Sequence, residues 1–235
     1  LFRGAKQRMS MYSTEWRQKH VVTHRHRGTR VHGKFWQVGT DTGRMSSGEP
    51  NLQQVTRDMR DVFGHLENEA VGKSDFAQIE VRVSAALASD WTMINAINAG
   101  EDIHTFVASE AFGVPVSAVS SSQRKVAKAM NFLLLFGGGV EGLYSYALAN
   151  GSDLGRQEIN DAYERYFERF VRIAEMKREA TRLCDTRSAV PITYPTGLRR
   201  VIAGMELKPT TILNNIVQGT AAAGLKKGLA ICYER

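Results

Sequence analysis

Several absences narrow the class of protein before any motif is considered. The 235 residues contain two cysteines, Cys184 and Cys232, which lie far apart and in no metal-ligand spacing. This argues against a disulfide-stabilised scaffold and favours a reducing, intracellular and cytoplasmic compartment. No run of about 18 apolar residues occurs, so we expect no transmembrane helix and no membrane partner. Internal repeats and low-complexity tracts are also missing, which leaves a globular chain as the class to explain.

The chain is rich in apolar residues and in positive charge. Hydrophobic residues make up 43% of the sequence, which is enough for a packed core, and the formal net charge is +7. A basic balance favours an anionic partner, of which nucleic acid is the commonest. An ordinary basic globular protein would carry the same charge, so the charge alone does not separate the two.

The spacing of apolar residues predicts a mostly helical chain of the α+β class with a small antiparallel sheet. The helix over Gln78–Ala88 is expected to bury Ile79, Val83, Ala86 and Leu87. Further helices are predicted over residues 1–20, Trp91–Ala99, His104–Phe112, Gln123 to the glycines after Phe136, Val140–Ala149, Gln157–Asp185 and Lys208–Tyr233. Strands are predicted over Thr29–Val38 and, weakly, Ala70–Phe76, with a hairpin over Val190–Ile202.

The stretch QRKVAKAMNFLLLFGGG carries an unusual helix face. Arg124, Lys128, Phe132 and Phe136 follow one another at intervals of four, and residues four apart share one side of a helix. One end of this face is therefore cationic and the other aromatic. Core packing would explain the two rings, but it does not explain the two cations beside them.

The stretch SDFAQIEVR places acidic residues at the start of a helix. Asp75 ends the weak strand, and Glu80 lies in the first part of the helix that follows. A carboxylate at such an edge can bind Mg²⁺, which prefers oxygen ligands. A helix dipole that favours acidic residues at its N-terminus would explain the same pattern.

Five blocks, taken in order, resemble family A DNA polymerases, the DNA polymerase I type. DFAQIEVR resembles motif A of that family, usually written DYSQIELR, and RKVAKAMNFLLLFG resembles motif B, R-x-x-x-K-x-x-x-F-x-x-x-Y-G. TGRMSSGEPNLQQ is similar to the TGRLSS-x-x-PNLQN block, GEDIH to the block between motifs A and B, and NNIVQGTAA to the helix before the last motif. The resemblance covers nearly the whole chain and implies the palm-and-fingers part of a right-hand polymerase fold.

The resemblance implies template-directed transfer of dNMP from a dNTP to a primer 3′-hydroxyl, helped by two Mg²⁺ ions. Asp75 and the main-chain carbonyl of Phe76 would bind metal, and Lys128 would protonate the leaving pyrophosphate. Glu80 would block a ribose 2′-hydroxyl, which implies deoxynucleotide substrates. The nucleotide pocket as a whole would comprise Gln78, Glu80, His104, Arg124, Lys128, Phe132, Phe136 and either Arg57 or Arg60, of which we take Arg57.

Primer-template DNA is the implied macromolecular partner, and the sequence does not indicate a processivity partner. The polar positions that match DNA contacts in the family are Arg44, Asn51, Gln53, Asn214 and Gln218. Minor-groove acceptors are nearly the same for all base pairs, so such contacts would tolerate any sequence, as a copying enzyme requires.

By the same resemblance, residues 1–90 would form the thumb base and palm with motif A, and residues 91–204 the fingers with the motif B helix. Residues 205–235 would form a palm helix that ends before motif C. The His-Asp-Glu of motif C does not occur among these residues. We therefore expect a fragment of a longer protein, from a bacterial or phage-infected cell, which is inactive when isolated.

Two alternatives remain at this point. A single-subunit RNA polymerase shares the aspartate and the R-x-x-x-K pattern, although Glu80 and Phe132 favour DNA synthesis. A non-catalytic nucleic-acid-binding relative would account for the missing second aspartate, although Asp75, Arg124 and Lys128 are all present.

Overall fold

The computed structural model describes residues 13–25, 28–55, 75–133 and 138–234. The chain divides into two compact units, Leu1–Ser74 and Asp75–Arg235. In these ranges no helix is both long and apolar enough to cross a bilayer. The names thumb base, palm and fingers, with their limits at residues 90 and 204, stay predictions.

In the described residues of the first unit, the chain forms one short helix and two hairpins. Ser13 begins α1 (Thr14–His20) because its Oγ accepts a hydrogen bond from the Trp16 amide at 3.1 Å. Strands β1 (Val21–His24) and β2 (Gly28–Val31) pair antiparallel, as do β3 (Lys34–Trp36) and β4 (Ser46–Gly48). The predicted strand over Thr29–Val38 is therefore two strands that belong to different hairpins, and a 3₁₀ turn at Leu52–Gln54 follows β4.

The second unit is built mainly from helices. They are α2 (Ile79–Ala88), α3 (Trp91–Asn98), α4 (Ile103–Phe112), α5 (Ser121–Leu133), α6 (Val140–Ala149), α7 (Arg156–Arg169), α8 (Val171–Thr186) and α9 (Pro209–Tyr233). One hairpin, β5 (Ala189–Thr193) and β6 (Arg199–Ala203), lies between α8 and α9 in the chain. Its turn places Gly197 at a φ of 82°, a conformation that glycine adopts without steric cost.

Two apolar clusters hold the second unit together. The larger one is formed by helices α2 to α8, and its largest fully buried side chains include Met93, Met130, Tyr166 and Phe170. The smaller one joins α8 and α9 to the β5–β6 hairpin around Ile202. Because α4 packs on both α5 and α7, the larger cluster fixes the position of α5.

Two local predictions about helices are wrong. The predicted helix over Gln157–Asp185 is interrupted at Phe170, whose φ of −102° and ψ of 63° are not helical, so that α7 and α8 are separate. The buried side predicted for the helix over Gln78–Ala88 is also wrong. This helix is α2, which buries Val81, Ser84 and Ala85, whereas Leu87 is 45% exposed. Asp75 and Phe76 lie in no strand, and residues 70–74 of that predicted strand lie outside the described ranges.

The class prediction is confirmed. The described residues form a mostly helical α+β structure, and its small sheets are antiparallel hairpins. The hairpin predicted over Val190–Ile202 and the helices predicted over Val140–Ala149 and Lys208–Tyr233 agree with β5–β6, α6 and α9 to within a residue at most limits.

Candidate functional site

The start of α4 holds one side of the candidate site through a single carboxylate. Asp102 caps this helix, since its Oδ1 accepts the His104 amide at 3.3 Å. Its Oδ2 accepts the Thr105 hydroxyl at 2.7 Å and the Arg124 Nε at 2.7 Å. Arg124 Nε also donates to Thr105 Oγ1 at 3.2 Å. One acidic residue therefore both begins α4 and binds the first cation of α5.

This contact leaves most of the Arg124 guanidinium available. Neither Nη group donates a hydrogen bond to a residue within the described ranges. The hydrogen bond from Arg124, with a smaller contribution from Thr105, lowers the pKa of Asp102 to about 2. Asp102 is therefore ionised at neutral pH, and it orients Arg124 without occupying its whole fork.

Lys128 and Phe132 continue the face that Arg124 begins. Lys128 is exposed on α5, one turn beyond Arg124. Phe132 is half-buried, and its ring centroid lies 6.4 Å from that of His104, with the rings inclined at 40°. The structure thus brings together four of the predicted pocket residues: His104, Arg124, Lys128 and Phe132.

His104 is buried between α4 and α5, with 5% of its surface exposed. Its Nδ1 lies 3.1 Å from the side-chain amide nitrogen of Asn131. Burial lowers the pKa of His104, and the positive charges of Arg124 and Lys128 lower it further against the opposing charge of Asp102. The imidazole is therefore neutral at physiological pH.

The motif A residues lie at the beginning of α2. Asp75 and Phe76 are exposed and precede the helix, while Gln78 occupies its N-cap in a left-handed conformation with φ 53° and ψ 43°. Glu80 lies half-buried in the first turn, where the helix dipole favours a carboxylate. Since α2 packs on α5 and α9 within the same unit, the acidic residues belong to the same body as the cationic face.

The Asp75 carboxylate and the Phe76 carbonyl offer the oxygen ligands that a hard divalent cation prefers. This donor set fits such an ion in kind but is incomplete. Within the described ranges, no group of three or more His, Cys, Asp or Glu side chains is placed to hold a metal.

The predicted DNA-contacting residues divide between the two units. Arg44, Asn51 and Gln53 lie in the first unit, where the Asn51 Oδ1 accepts the Gln53 amide at 3.0 Å and the Arg44 side chain is exposed. Asn214 and Gln218 lie in the second unit, half-buried and one turn apart on α9. Phe136 and Arg57 lie outside the described residues.

Sequence reasoning missed Asp102, Thr105 and Asn131, which hold the predicted residues in place. An aspartate directly before the first residue of a helix is an N-cap signal. The capping role of Asp102 could therefore have been found from the sequence. Its pairing with Arg124 and the contact between Asn131 and His104 could not, because they join residues 22 and 27 positions apart.

One protein family matches nearly the whole chain. The model of DNA polymerase family A matches residues 2–234, and the chain therefore belongs to that family. DNA polymerase I of Aquifex aeolicus is 39% identical over 147 residues, which cover 62% of this chain and 26% of the relative. DNA polymerase I of Mycobacterium tuberculosis is 35% identical over 218 residues, 84% of this chain and 23% of the relative.

The fold is also similar to a solved polymerase structure. The POL domain of Pol1 from M. smegmatis, in complex with DNA primer-template and dNTP, matches with a TM-score of 0.66 and 32% identity over 84% of this chain and 36% of that chain. The family is one of DNA polymerases, so the comparison does not favour the alternative of a single-subunit RNA polymerase. Family A polymerases generally use divalent metal ions. The chain spans about a quarter of the length of the curated relatives it matches.

Proposed function

We propose that the protein containing this chain is a template-directed DNA polymerase, which transfers dNMP from a dNTP to the 3′-hydroxyl of a primer. The observation that carries the proposal is the α4–α5 pair, which gathers His104, Arg124, Lys128 and Phe132 on one side of the second unit. Such a face suits a nucleoside triphosphate, because the cations match the phosphates and the ring matches the sugar and base.

The cationic end of the face would bind the triphosphate. The free Nη groups of Arg124 form a planar fork that suits phosphate oxygens, and Lys128 adds a point charge one turn away. Lys128 would also supply a proton to the pyrophosphate as it leaves. Phosphoryl transfer needs mainly positioning and charge neutralisation, and this is what these residues provide.

Divalent ions, with Mg²⁺ as the expected metal, would lower the barrier by activating the primer oxygen and stabilising negative charge on the phosphates. Asp75 and the Phe76 carbonyl would hold part of a two-ion site. A His-Asp-Glu tripeptide, the motif C of the family, does not occur among the 235 residues. We therefore propose that a polypeptide of these residues alone does not extend a primer.

The remaining predicted roles are part of the same proposal. Glu80 would exclude a ribose 2′-hydroxyl, and Gln78, Phe136 and Arg57 would line the nucleotide pocket. Arg44, Asn51, Gln53, Asn214 and Gln218 would contact the primer-template. Amide side chains four apart on α9 can present donors to minor-groove acceptors without regard to sequence.

Primer extension by the protein that contains this chain tests the proposal. Asp75→Asn keeps the shape of the side chain but removes the charge that binds a cation. We expect a loss of several kcal/mol in transition-state stabilisation, which is a roughly 10³-fold fall in kcat. Asp185→Asn, at an exposed position in the last turn of α8, is the matched control and should extend primers normally.

Undiminished extension by Asp75→Asn would contradict the proposed metal role. A preference for ribonucleotides over deoxynucleotides would contradict the assignment of the product as DNA. Vigorous extension by the 235-residue polypeptide alone would contradict the need for a further carboxylate.

A further inference from the structure

The contact between Asn131 and His104 is the least expected feature of the site. Asn131 is completely buried in α5, two helical turns beyond Arg124, so both residues lie on the same side of that helix. Both also reach the first turn of α4: Arg124 contacts Asp102, and Asn131 contacts His104. The second contact joins the Asn131 Nδ2 and the His104 Nδ1 at 3.1 Å.

With the amide nitrogen of Asn131 facing the ring, this contact favours one of the two neutral tautomers of His104. An amide nitrogen can only donate, so the Nδ1 facing it must accept and must be unprotonated. In a neutral imidazole the proton then lies on Nε2. Within the described ranges, no residue accepts a hydrogen bond from Nε2, which leaves this donor available to a ligand.

The charges around His104 keep the ring neutral. A neutral ring can donate to an anion at this place only if its proton lies on Nε2. Arg124 and Lys128 disfavour an imidazolium, and Asp102, which favours it, is already bound by Arg124. If the side-chain carbonyl of residue 131 faced Nδ1 instead, a neutral ring would present a bare Nε2. A bare nitrogen and a phosphate oxygen are both acceptors, so they would repel each other.

We propose that Asn131 is a positioning residue, which holds His104 as the neutral tautomer whose Nε2–H donates to a phosphate oxygen of the nucleotide. The inference rests on the proposed function, because that function supplies the triphosphate. A purely structural role explains Asn131 poorly, since its Oδ1 is buried and has no hydrogen-bond partner in the part of the chain that the structure describes. Leucine would fill the same space without that cost.

The tautomer itself can be measured by NMR of the full chain labelled with ¹⁵N at histidine, with His104→Gln used to assign the signal. The expected wild-type result is a neutral His104 protonated at Nε2. In Asn131→Leu this preference should weaken, and the tautomer protonated at Nδ1 should become populated beside the other. In Asn131→Asp a carboxylate faces Nδ1, so Nδ1 should gain the proton and the ring should titrate at higher pH.

Asn215→Asp is the matched control, because it also places a carboxyl at a buried amide position of the second unit. In the wild type the Asn215 Oδ1 accepts hydrogen bonds from Tyr194 and Arg200, and neither of these residues contacts His104. The NMR signals of His104 should therefore not move in this variant. A wild-type His104 protonated at Nδ1, or a tautomer unchanged in the folded Asn131→Leu variant, would overturn the inference.

Inorganic tripolyphosphate, used as the probe, separates this inference from the proposed function. It should shift the Nε2 signal of the wild type and bind Asn131→Leu about twofold more weakly, because only about half of the neutral rings then carry the proton on Nε2. Lys128→Gln should also weaken binding while leaving the tautomer unchanged. If the tautomer is as expected but neither variant weakens binding, the phosphate site of the proposed function fails, and with it the role of Nε2–H as a phosphate donor.

Discussion

Arg124 uses one part of its guanidinium for protein and leaves the other for a ligand. Its Nε binds Asp102 and Thr105, so the planar group is oriented before any anion arrives. Lysine cannot make this division, because its ammonium is a single point of charge on a flexible stem. Arg124→Lys keeps the charge and therefore tests the geometry alone.

We expect Arg124→Lys to raise the KM for dNTP about 10- to 100-fold in primer extension by the protein that contains this chain. Losing one or two charge-assisted hydrogen bonds costs about 1.5–3 kcal/mol, which gives that range. Arg172→Lys is the control, since Arg172 makes a one-turn ion pair with Glu175 on α8, outside the site. Equal KM values for the two variants would show that Arg124 acts only as a charge.

Asp102 makes stability depend on pH in the acid range. Its pKa is lowered from 3.8 to about 2 in the folded chain, so the unfolded chain binds the proton more readily. The stabilisation is therefore complete above about pH 4 and is lost as the pH falls towards 2. The Arg124 and Asp102 side chains are 46% and 39% exposed, so solvent screening limits the stabilisation from this ion pair to about 1 kcal/mol or less.

Asp102→Asn tests this dependence, since asparagine can still cap α4 but carries no charge. Urea unfolding should show the wild type as the more stable protein at pH 6, and the two proteins should converge as the pH approaches 2. About 1 M salt should reduce the difference in free energy of unfolding between the two proteins at pH 6, because it screens the exposed Asp102–Arg124 ion pair. A difference that stays constant with pH would show that Arg124 does not shift the titration of Asp102.

At the residue scale, motif resemblance and helix spacing predicted the groups that we propose to touch substrate, but not the residues that contact and orient those groups. Arg124, Lys128 and Phe132 share a face because four residues make about one turn, and this depends on local sequence only. Asp102 and Asn131 obtain their roles from the packing of α4 on α5. The sequence shows that Asn131 is a polar residue in the apolar run after Lys128, but it does not show that its partner is His104.

At the scale of elements, α9 packs closely at Gly219 against Tyr194, the residue that follows β5. A Cβ added there would lie 1.9 Å from the Tyr194 Cε1. Tyr194 is buried and donates to the Asn215 Oδ1 at 3.1 Å, so it cannot move away without losing that hydrogen bond. Glycine at this position is therefore required by packing, not by backbone conformation.

We expect Gly219→Ala to destabilise the chain by about 1–3 kcal/mol, the usual cost of overpacking. Gly224→Ala in the same helix is the matched control, because its added Cβ would meet no atom within 4 Å. That variant should be more stable than the wild type by about 0.5–1 kcal/mol through helix propensity. Urea unfolding followed by circular dichroism measures both, and two shifts of the same sign would contradict the packing argument.

The two wrong predictions about helices have a common cause. No glycine or proline marks the break between α7 and α8, and Phe170 leaves helical geometry where its ring is fully buried against Phe106 and Tyr166. Likewise α2 turns Val81 and Ala85 inward because α3, α8 and α9 surround it. Periodicity predicts that a helix forms, whereas its neighbours select its buried side and can interrupt it.

At the scale of the whole molecule, the apolar core of the described residues belongs to one unit. Every buried hydrophobic residue in the described ranges lies between Val81 and Ala223, in the second unit. The described buried positions of the first unit are small or polar, such as Thr42 and Ser47. Since burial of apolar surface is the main favourable term in folding, the second unit holds most of the stability.

We therefore expect a polypeptide of residues 75–235 to fold by itself. Its far-ultraviolet circular dichroism should show a helical protein, and its free energy of unfolding in urea should lie within ~1 kcal/mol of that of the full chain. Residues 1–74 alone should show no cooperative transition, because their described part buries no large apolar side chain. A 75–235 polypeptide that unfolds gradually, without a baseline at low urea, would show that the first unit contributes to the core after all.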